Sequence, residues 1–174
     1  RSCLVGSEMC IRDSSNTTLV EELANSILTY SDLLPSRNQN YKFDIEKFVD
    51  VNGKTGIYLQ YAQVRAGKIL SQYPTQNNKE VLDNLNEDER KLVFEITKLP
   101  YYFFKSLEKN EPHHIAEYAY SLCQIFNSFY SNNKIFSSSI TETVMNQRLF
   151  IVKSFYTTIH TVFELLGMSP VNEM

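Results

Sequence analysis

Glycine and proline are scarce in this chain, and the places where they fall divide it into helical lengths. The 174 residues hold 5 Gly and 5 Pro. That leaves too few breakers for a many-turned β-sandwich, a glycine-rich nucleotide loop or a collagen-like repeat. Leu19, Leu23, Ile27 and Leu28 recur at helical spacing to about Leu33, with Thr18 and Glu21 in capping-box register, and Pro35 closes the segment. Phe43 to Val51 reads as one or two turns, and Asn52-Gly53 as a turn. From Thr55 to about Tyr73, Tyr58, Tyr61, Ala62, Arg65 and Ile69 follow at spacings of three and four, before Pro74 and the solvated tract Thr75 to Lys79. Asn86 caps a helix carrying Leu92, Val93, Ile96 and Leu99, and Pro100 kinks or restarts it ahead of Tyr101 to Lys109. Pro112 suits the first position of a helix running to about Tyr130. Beyond the polar stretch Ser131 to Ser139, a last helix spans about Ile140 to Leu166, with Gly167 as its C′ residue and Pro170 just after. The expected fold is all-α: a bundle of about five long helices preceded by a small helical appendage, without internal repeats.

Hydrophobic residues at 43% and aromatics at 13% supply a sizeable core and exclude wholesale disorder. The length fits one domain with a small appendage. No uninterrupted apolar run reaches 18 residues, so no membrane span is expected. A formal charge of −3 argues against nucleic-acid binding through bulk charge alone.

Arg1 to Ser14, RSCLVGSEMCIRDS, fits nothing downstream. It has no apolar signal-peptide core, and LVGSEMCIRDS looks like the in-frame translation of a sequencing adapter. Excluding it reduces the cysteines from 3 to Cys123, which alone forms no internal disulfide and reads as a small core residue. An adapter at the front also implies a reading frame truncated at its N-terminal side.

Catalytic patterns are missing from the sequence. There is no Walker A loop, no GxGxxG, no HExxH and no CxxC pair, so no catalytic residue and no metal ligand is assigned. His113 and His114 are neighbours on a helix and are expected to point apart, against shared metal chelation. His160 reads as a core-edge histidine. Glu87-Asp88-Glu89 reads as a solvated helix start favoured by the dipole.

Charge distribution says more than net charge. Val51 to Lys79 contains no acid but holds Lys54, Arg65, Lys68 and Lys79. Tyr118 to Thr141 has Lys134 as its sole Asp, Glu, Lys or Arg, whereas Glu80 to Glu117 collects 9 acids. Packing the first, fourth and fifth long helices together would create a mildly basic face with Tyr58, Tyr61, Tyr130 and Phe136 available. Unstacked RNA bases stack on such rings, and a few cations suffice for the phosphates. Aromatics at this spacing also serve as core, and spacing alone does not choose between the two.

Gly53-Lys54-Thr55-Gly56-Ile57-Tyr58-Leu59-Gln60-Tyr61-Ala62 with Arg65 and Lys68-Ile69-Leu70 resembles the YLQYA-x-x-R helix of arginyl-tRNA synthetases, which opens their C-terminal DALR-type anticodon-binding domain. Glu111-Pro112-His113 with Ala116 and Tyr118, Phe126 to Tyr130, Arg148-Leu149, and Leu165 to Pro170 with Met174 match further motifs of that family in order. Tyr41, Phe43 and Asp44 resemble its Y-x-FD stretch, and the likeness covers about Leu19 to Met174. It implies a three-part division: 1–14 adapter, 15–50 helical junction from the end of a missing catalytic domain, 51–174 anticodon-binding bundle. The parent protein would be a class I, ATP-dependent arginine–tRNA ligase, cytoplasmic (or mitochondrial in a eukaryote) and monomeric. ATP and arginine would bind the missing domain; this chain, lacking HIGH-like and KMSK-like motifs, would need no cofactor and catalyse nothing alone.

The partner implied is an arginine tRNA through its anticodon loop, with no membrane involved. Carried over residue by residue, Tyr61 and Arg65 face the loop, Tyr130 lies against a base, and Met174 reaches the same pocket with its terminal group. Lys68 and Tyr58 complete the expected tRNA-binding set, with Arg65 and Tyr130 leading it. The chain departs from the family at Gln63, where many members have histidine, and at Ile135-Phe136, where one branch carries a tryptophan. Arg148 reads as a satisfied structural arginine, and Asn127 as a cap, a helix bridge or a base contact. Two other classes remain open: a helical protein-interaction bundle without RNA affinity, and the anticodon domain of another class I synthetase.

Overall fold

Each helix starts and stops where local chemistry requires it. The computed structural model describes residues 17–40, 45–50, 53–73, 82–137 and 139–174. The adapter-like segment, the Tyr41-Phe43-Asp44 stretch, Asn52, and the loop from Pro74 to Lys79 lie outside them. Among the described residues seven helices follow in order: α1 Thr17–Leu33, α2 Ile45–Phe48, α3 Gly56–Gln72, α4 Glu87–Ile96, α5 Leu99–Lys109, α6 His113–Asn132 and α7 Glu142–Leu166. α1 already includes Thr17, so Thr18 lies inside the helix and does not cap it. Thr55 caps α3 by accepting from the Tyr58 amide at 3.2 Å, and Asn86 closes a full capping box on α4 with Glu89. Pro100 restarts the chain as α5, which Asn110 ends in the left-handed region. Pro112 flanks α6, which starts one residue later than expected, at His113, and Gly167 (φ 71°) ends α7. A left-handed C′ position is where glycine has no Cβ penalty.

α6 is the centre of the bundle, touching α3, α4, α5 and α7, while α3 also lies along α1 and α7. The first, fourth and fifth long helices therefore do pack together. Phe126 of α6 and Phe155 of α7 stack face to face, centroids 3.9 Å apart at 3°, and both are fully buried. Each such ring stabilises the fold by about 1.5–3 kcal/mol through area removed from water. Cys123 lies beside them in the core, and burial pushes its thiol pKa up.

α1 is built into this core and does not lie outside it. Tyr30 is fully buried and donates its hydroxyl to Ala116 O of α6 at 3.0 Å. Against α3 the approach is backbone to backbone: a Cβ at Gly56 would lie 2.5 Å from Ser26 O. Only glycine permits that contact.

A buried polar network joins α4 to α7. Arg148 Nε donates to Glu89 Oε1 at 2.7 Å, and Arg148 Nη1 donates to Lys134 O at 2.6 Å. Arg148 is thus the structural arginine the sequence suggested. Glu89, in contrast, is not solvated: it is 2% exposed. Its second oxygen accepts from the Asn86 amide at 3.0 Å. A carboxylate pays for burial only with such partners, and here a guanidinium and a helix N-terminus supply them. α7 is long and apolar enough to cross a membrane by length and composition, despite the absence of an uninterrupted apolar run. Its apolar face, Leu149, Val152, Phe155, Ile159 and Phe163, is instead spent in the core.

α4 and α5 carry an exposed apolar surface. Phe94 of α4 and Tyr101, Phe104 and Leu107 of α5 are all more than half exposed, with Lys98 and Lys105 lying over the Phe94 and Tyr101 rings.

Candidate nucleic-acid interface

Tyr61 and Arg65 are four residues apart on α3, a spacing that stacks side chains on one helix face. Arg65 Nη2 donates to Tyr61 Oη at 2.7 Å, and its guanidinium lies 4.4 Å from the Tyr61 ring centroid. From α6, Tyr130 approaches the same guanidinium at 4.6 Å, and Asn127 Oδ1 accepts from Nη1 at 2.8 Å. A planar cation is therefore held against two aromatic rings and fixed by two hydrogen bonds, while the guanidinium has further donors to offer. Tyr130 is itself anchored: its ring stacks at 6.4 Å and 27° on Phe126, which stacks on Phe155.

These groups form one wall of an open cleft of about 640 Å³. α3 contributes Tyr61, Arg65, Lys68 and Gln72; Tyr130 comes from α6, Phe136 from the α6–α7 connection, and Met174 closes one end. Lys68 and Lys134 join Arg65 as its cations, and no Asp or Glu lines it among the described residues. At the far edge Phe136 stacks on Tyr73, centroids 3.8 Å apart at 20°. An aromatic pair thus occupies the region where the sequence lacks tryptophan. The cleft can accept flat, electron-rich groups between rings and negative charge along its lysines.

Five of the six residues expected to bind RNA converge here: Tyr61, Arg65, Lys68, Tyr130 and Met174. Tyr58 does not line the cleft. It is two helical turns from Arg65, about 10 Å along the axis, half-buried, with its ring 5.3 Å from that of Tyr120. Burial raises its pKa, and the neighbouring Asn127 side chain offsets part of the rise. Asn127, by contrast, holds Arg65 directly. Asn127 bridges helices, and the bridge is part of the site.

Sequence reading gave no role to Gln60, Gln72 or Tyr73. Gln60 had a signal: a polar residue on the apolar stripe Ile57, Gln60, Val64, all of them buried. Met174 is packed beside Val171, Leu23 and Val64 in a small cluster of its own. At Gln63 the α3 side chain is buried and its Nε2 lies 3.1 Å from His160 Nε2 of α7. Burial lowers the His160 pKa, as suits a core-edge histidine.

His113 and His114 do not point apart. Their ring centroids are 4.0 Å apart, with His114 Nε2 3.2 Å and His113 Nδ1 4.0 Å from Glu111 Oε2. At a helix start, side-chain torsions and the turn before Pro112 overcome the 100° offset between neighbours. The His114 pKa is lowered by burial first, then by His113 and by Lys105 and Lys109 on α5. The Glu111 carboxylate acts in the opposite direction, and the three donor groups Glu111, His113 and His114 converge at this helix start.

The family profile described as the DALR anticodon binding domain matches residues 59–174. Arginine–tRNA ligase of Francisella tularensis subsp. novicida is 32% identical over 170 residues, covering 93% of this chain and 29% of that protein. The Leuconostoc mesenteroides arginine–tRNA ligase is 29% identical over 157 residues, covering 90% of this chain and 27% of its own length. Among solved structures, the arginyl-tRNA synthetase of Plasmodium falciparum matches with a TM-score of 0.80 at 29% identity, covering 96% of this chain and 30% of that one. The Thermus thermophilus arginyl-tRNA synthetase shares the fold with a TM-score of 0.87 at 22% identity, over 98% of this chain and 30% of its own. The chain therefore spans less than a third of the length of the curated relatives it matches.

Proposed function

The chain belongs to the DALR anticodon binding domain family, and on that premise we propose that it is the anticodon-reading part of an arginine–tRNA ligase. The parent would join arginine to its tRNA at the expense of ATP, with both small substrates bound by a catalytic domain outside this chain. Residues 51–174 would form the RNA-binding unit and 15–50 the junction to that domain. The parent would be a cytoplasmic monomer.

The observation that carries this reading is the Arg65 guanidinium held against Tyr61 and Tyr130 at the wall of an open cleft that no Asp or Glu lines among the described residues. Bases of a single-stranded loop are flat and can be splayed out of their stack. Tyrosine rings offer them stacking faces and the free N–H groups of Arg65 offer donors to a base edge. Lys68 and Lys134 supply charge for the backbone without fixing sequence. Hence recognition is expected to depend on bases more than on bulk charge, consistent with a net charge of −3.

A titration of the 174-residue chain with an arginine tRNA and a non-cognate tRNA at two salt concentrations tests this. Cognate preference should survive the higher salt and disappear in Arg65→Ala and Tyr130→Ala. Equal, salt-sensitive binding of both tRNAs would remove base readout from the proposal, and absence of binding would leave a helical interaction bundle.

A further inference from the structure

Gln60 is fully buried, yet its side-chain amide is saturated by partners from two other parts of the chain. Its Nε2 donates to Ser26 Oγ of α1 at 2.8 Å and to Ser169 O at 2.7 Å, while its Oε1 accepts from the Val171 amide at 3.1 Å. Two of these partners are backbone groups of fixed polarity, so they also fix which way round the amide lies. Gripping O of residue 169 and N–H of residue 171, the side chain acts as a substitute for a neighbouring strand and sets the course of the chain beyond α7.

Three residues further on, Met174 lines the cleft beside Arg65 and packs in the cluster of Val171, Leu23 and Val64. Val171 is itself fully buried. Without the Gln60 grip, the amide of Val171 and the carbonyl of Ser169 would lose the hydrogen-bond partners that Gln60 gives them, and the apolar cluster alone would hold the tail.

From this geometry we infer that Gln60 is a positioning residue for RNA recognition: it touches no ligand but holds the 169–174 tail so that Met174 forms the end wall of the cleft. The inference builds on the proposed role of that cleft in binding an arginine tRNA. Ser26 extends the same joint to α1, so the grip also registers α1 against the cleft wall.

The experiment replaces Gln60 by Met, close in volume but unable to hydrogen bond, in the 174-residue chain. Val171→Pro serves as a second variant that deletes the donor from the tail side and leaves α3 unaltered. Amide hydrogen exchange of residues 169–174 and arginine tRNA affinity are measured for both, beside Met174→Ala and the double variant Gln60→Met/Met174→Ala. Far-UV circular dichroism establishes that each is folded. The tail amides should exchange at least about tenfold faster in Gln60→Met. Its tRNA affinity should fall about fivefold to tenfold, to the level of Met174→Ala, and the double variant should be no weaker. Non-additivity of that kind marks two residues acting through one structure. Unchanged tail exchange in both Gln60→Met and Val171→Pro overturns the grip. A loosened tail with full tRNA affinity overturns the positioning role, while leaving the cleft as the tRNA site. An unaltered chain that binds no tRNA overturns the reading of the cleft and the recognition role together, and is told apart from the other failures by the wild-type titration.

Discussion

Replacing Arg65 by lysine keeps the charge and removes the shape. In the structure the guanidinium engages two rings, at 4.4 and 4.6 Å, and two acceptors, at 2.7 and 2.8 Å. An ammonium group is a point charge and cannot meet both rings and both oxygens at once. Each cation–π contact at a partly exposed site contributes about 0.5–1 kcal/mol, and a hydrogen bond from a charged donor about 1.5–3 kcal/mol before rearrangement. Losing one ring contact and weakening one hydrogen bond gives a net cost of about 1–2 kcal/mol for forming the binding-competent arrangement. At 1.4 kcal/mol per decade, tRNA affinity should fall about fivefold to thirtyfold. The salt dependence should not change, because the number of cations is the same. Arg65→Ala should lose at least as much affinity and also flatten the salt dependence. Fluorescence anisotropy titrations over a salt series measure both quantities. Arg65→Lys binding within twofold of the unaltered chain at every salt would refute the geometric reasoning and reduce Arg65 to a phosphate counter-charge.

Three further outcomes follow from the fold. Gly56→Ala should destabilise by about 1–3 kcal/mol in urea denaturation, since the new Cβ meets the Ser26 backbone and α1 must move; the opposite sign, as for alanine in an unhindered helix, would mean that α1 does not press on α3. Arg148→Met should cost about 3 kcal/mol by stranding the buried Glu89 carboxylate, and Glu89→Gln in the same chain should recover part of it; equal losses in single and double variants would deny the coupling. Burial holds the pKa values of His114 and His160 below their ordinary 6.5. The unfolded chain therefore takes up protons before the folded one, so their contribution is intact above about pH 6.5 and is lost as pH falls from there through the folded values. Urea midpoints at pH 7.5 and 5 should show the decline, and His160→Gln should make it shallower. A variant with an unchanged pH profile would remove His160 from the account.

The helices were legible because their signals are local. Spacings of three and four, Asn86 at a helix start, and Gly167 before Pro170 each act within a turn or two, and boundaries moved by a residue or two. The cleft was legible in part. Tyr61 and Arg65 share a helix face, whereas the arrival of Tyr130 and Met174 depended on the likeness to a known family and not on periodicity. Tyr58 shows the limit: the same spacing that puts Arg65 in the cleft left Tyr58 two turns away against Tyr120. Glu89 was misjudged because its burial depends on Arg148, 59 residues later. The pairing of His113 with His114 is set by side-chain torsions, which helical geometry does not determine. Gln60 stood out as a polar residue on an apolar stripe, but its role was unreadable because its partners are 34, 109 and 111 residues away.

Those separations also order events during synthesis. Ser26 leaves the ribosome before Gln60, so α1 and α3 can meet, with Gly56 against Ser26, as soon as both have emerged. The amide of Gln60 then waits while 111 more residues are added before the N–H of Val171 exists to meet it. Throughout that interval the nascent helices present an unmet polar group and the apolar patch of Leu23 and Val64 on one exposed side. That side closes last, when Val171 and Met174 dock on Leu23 and Val64.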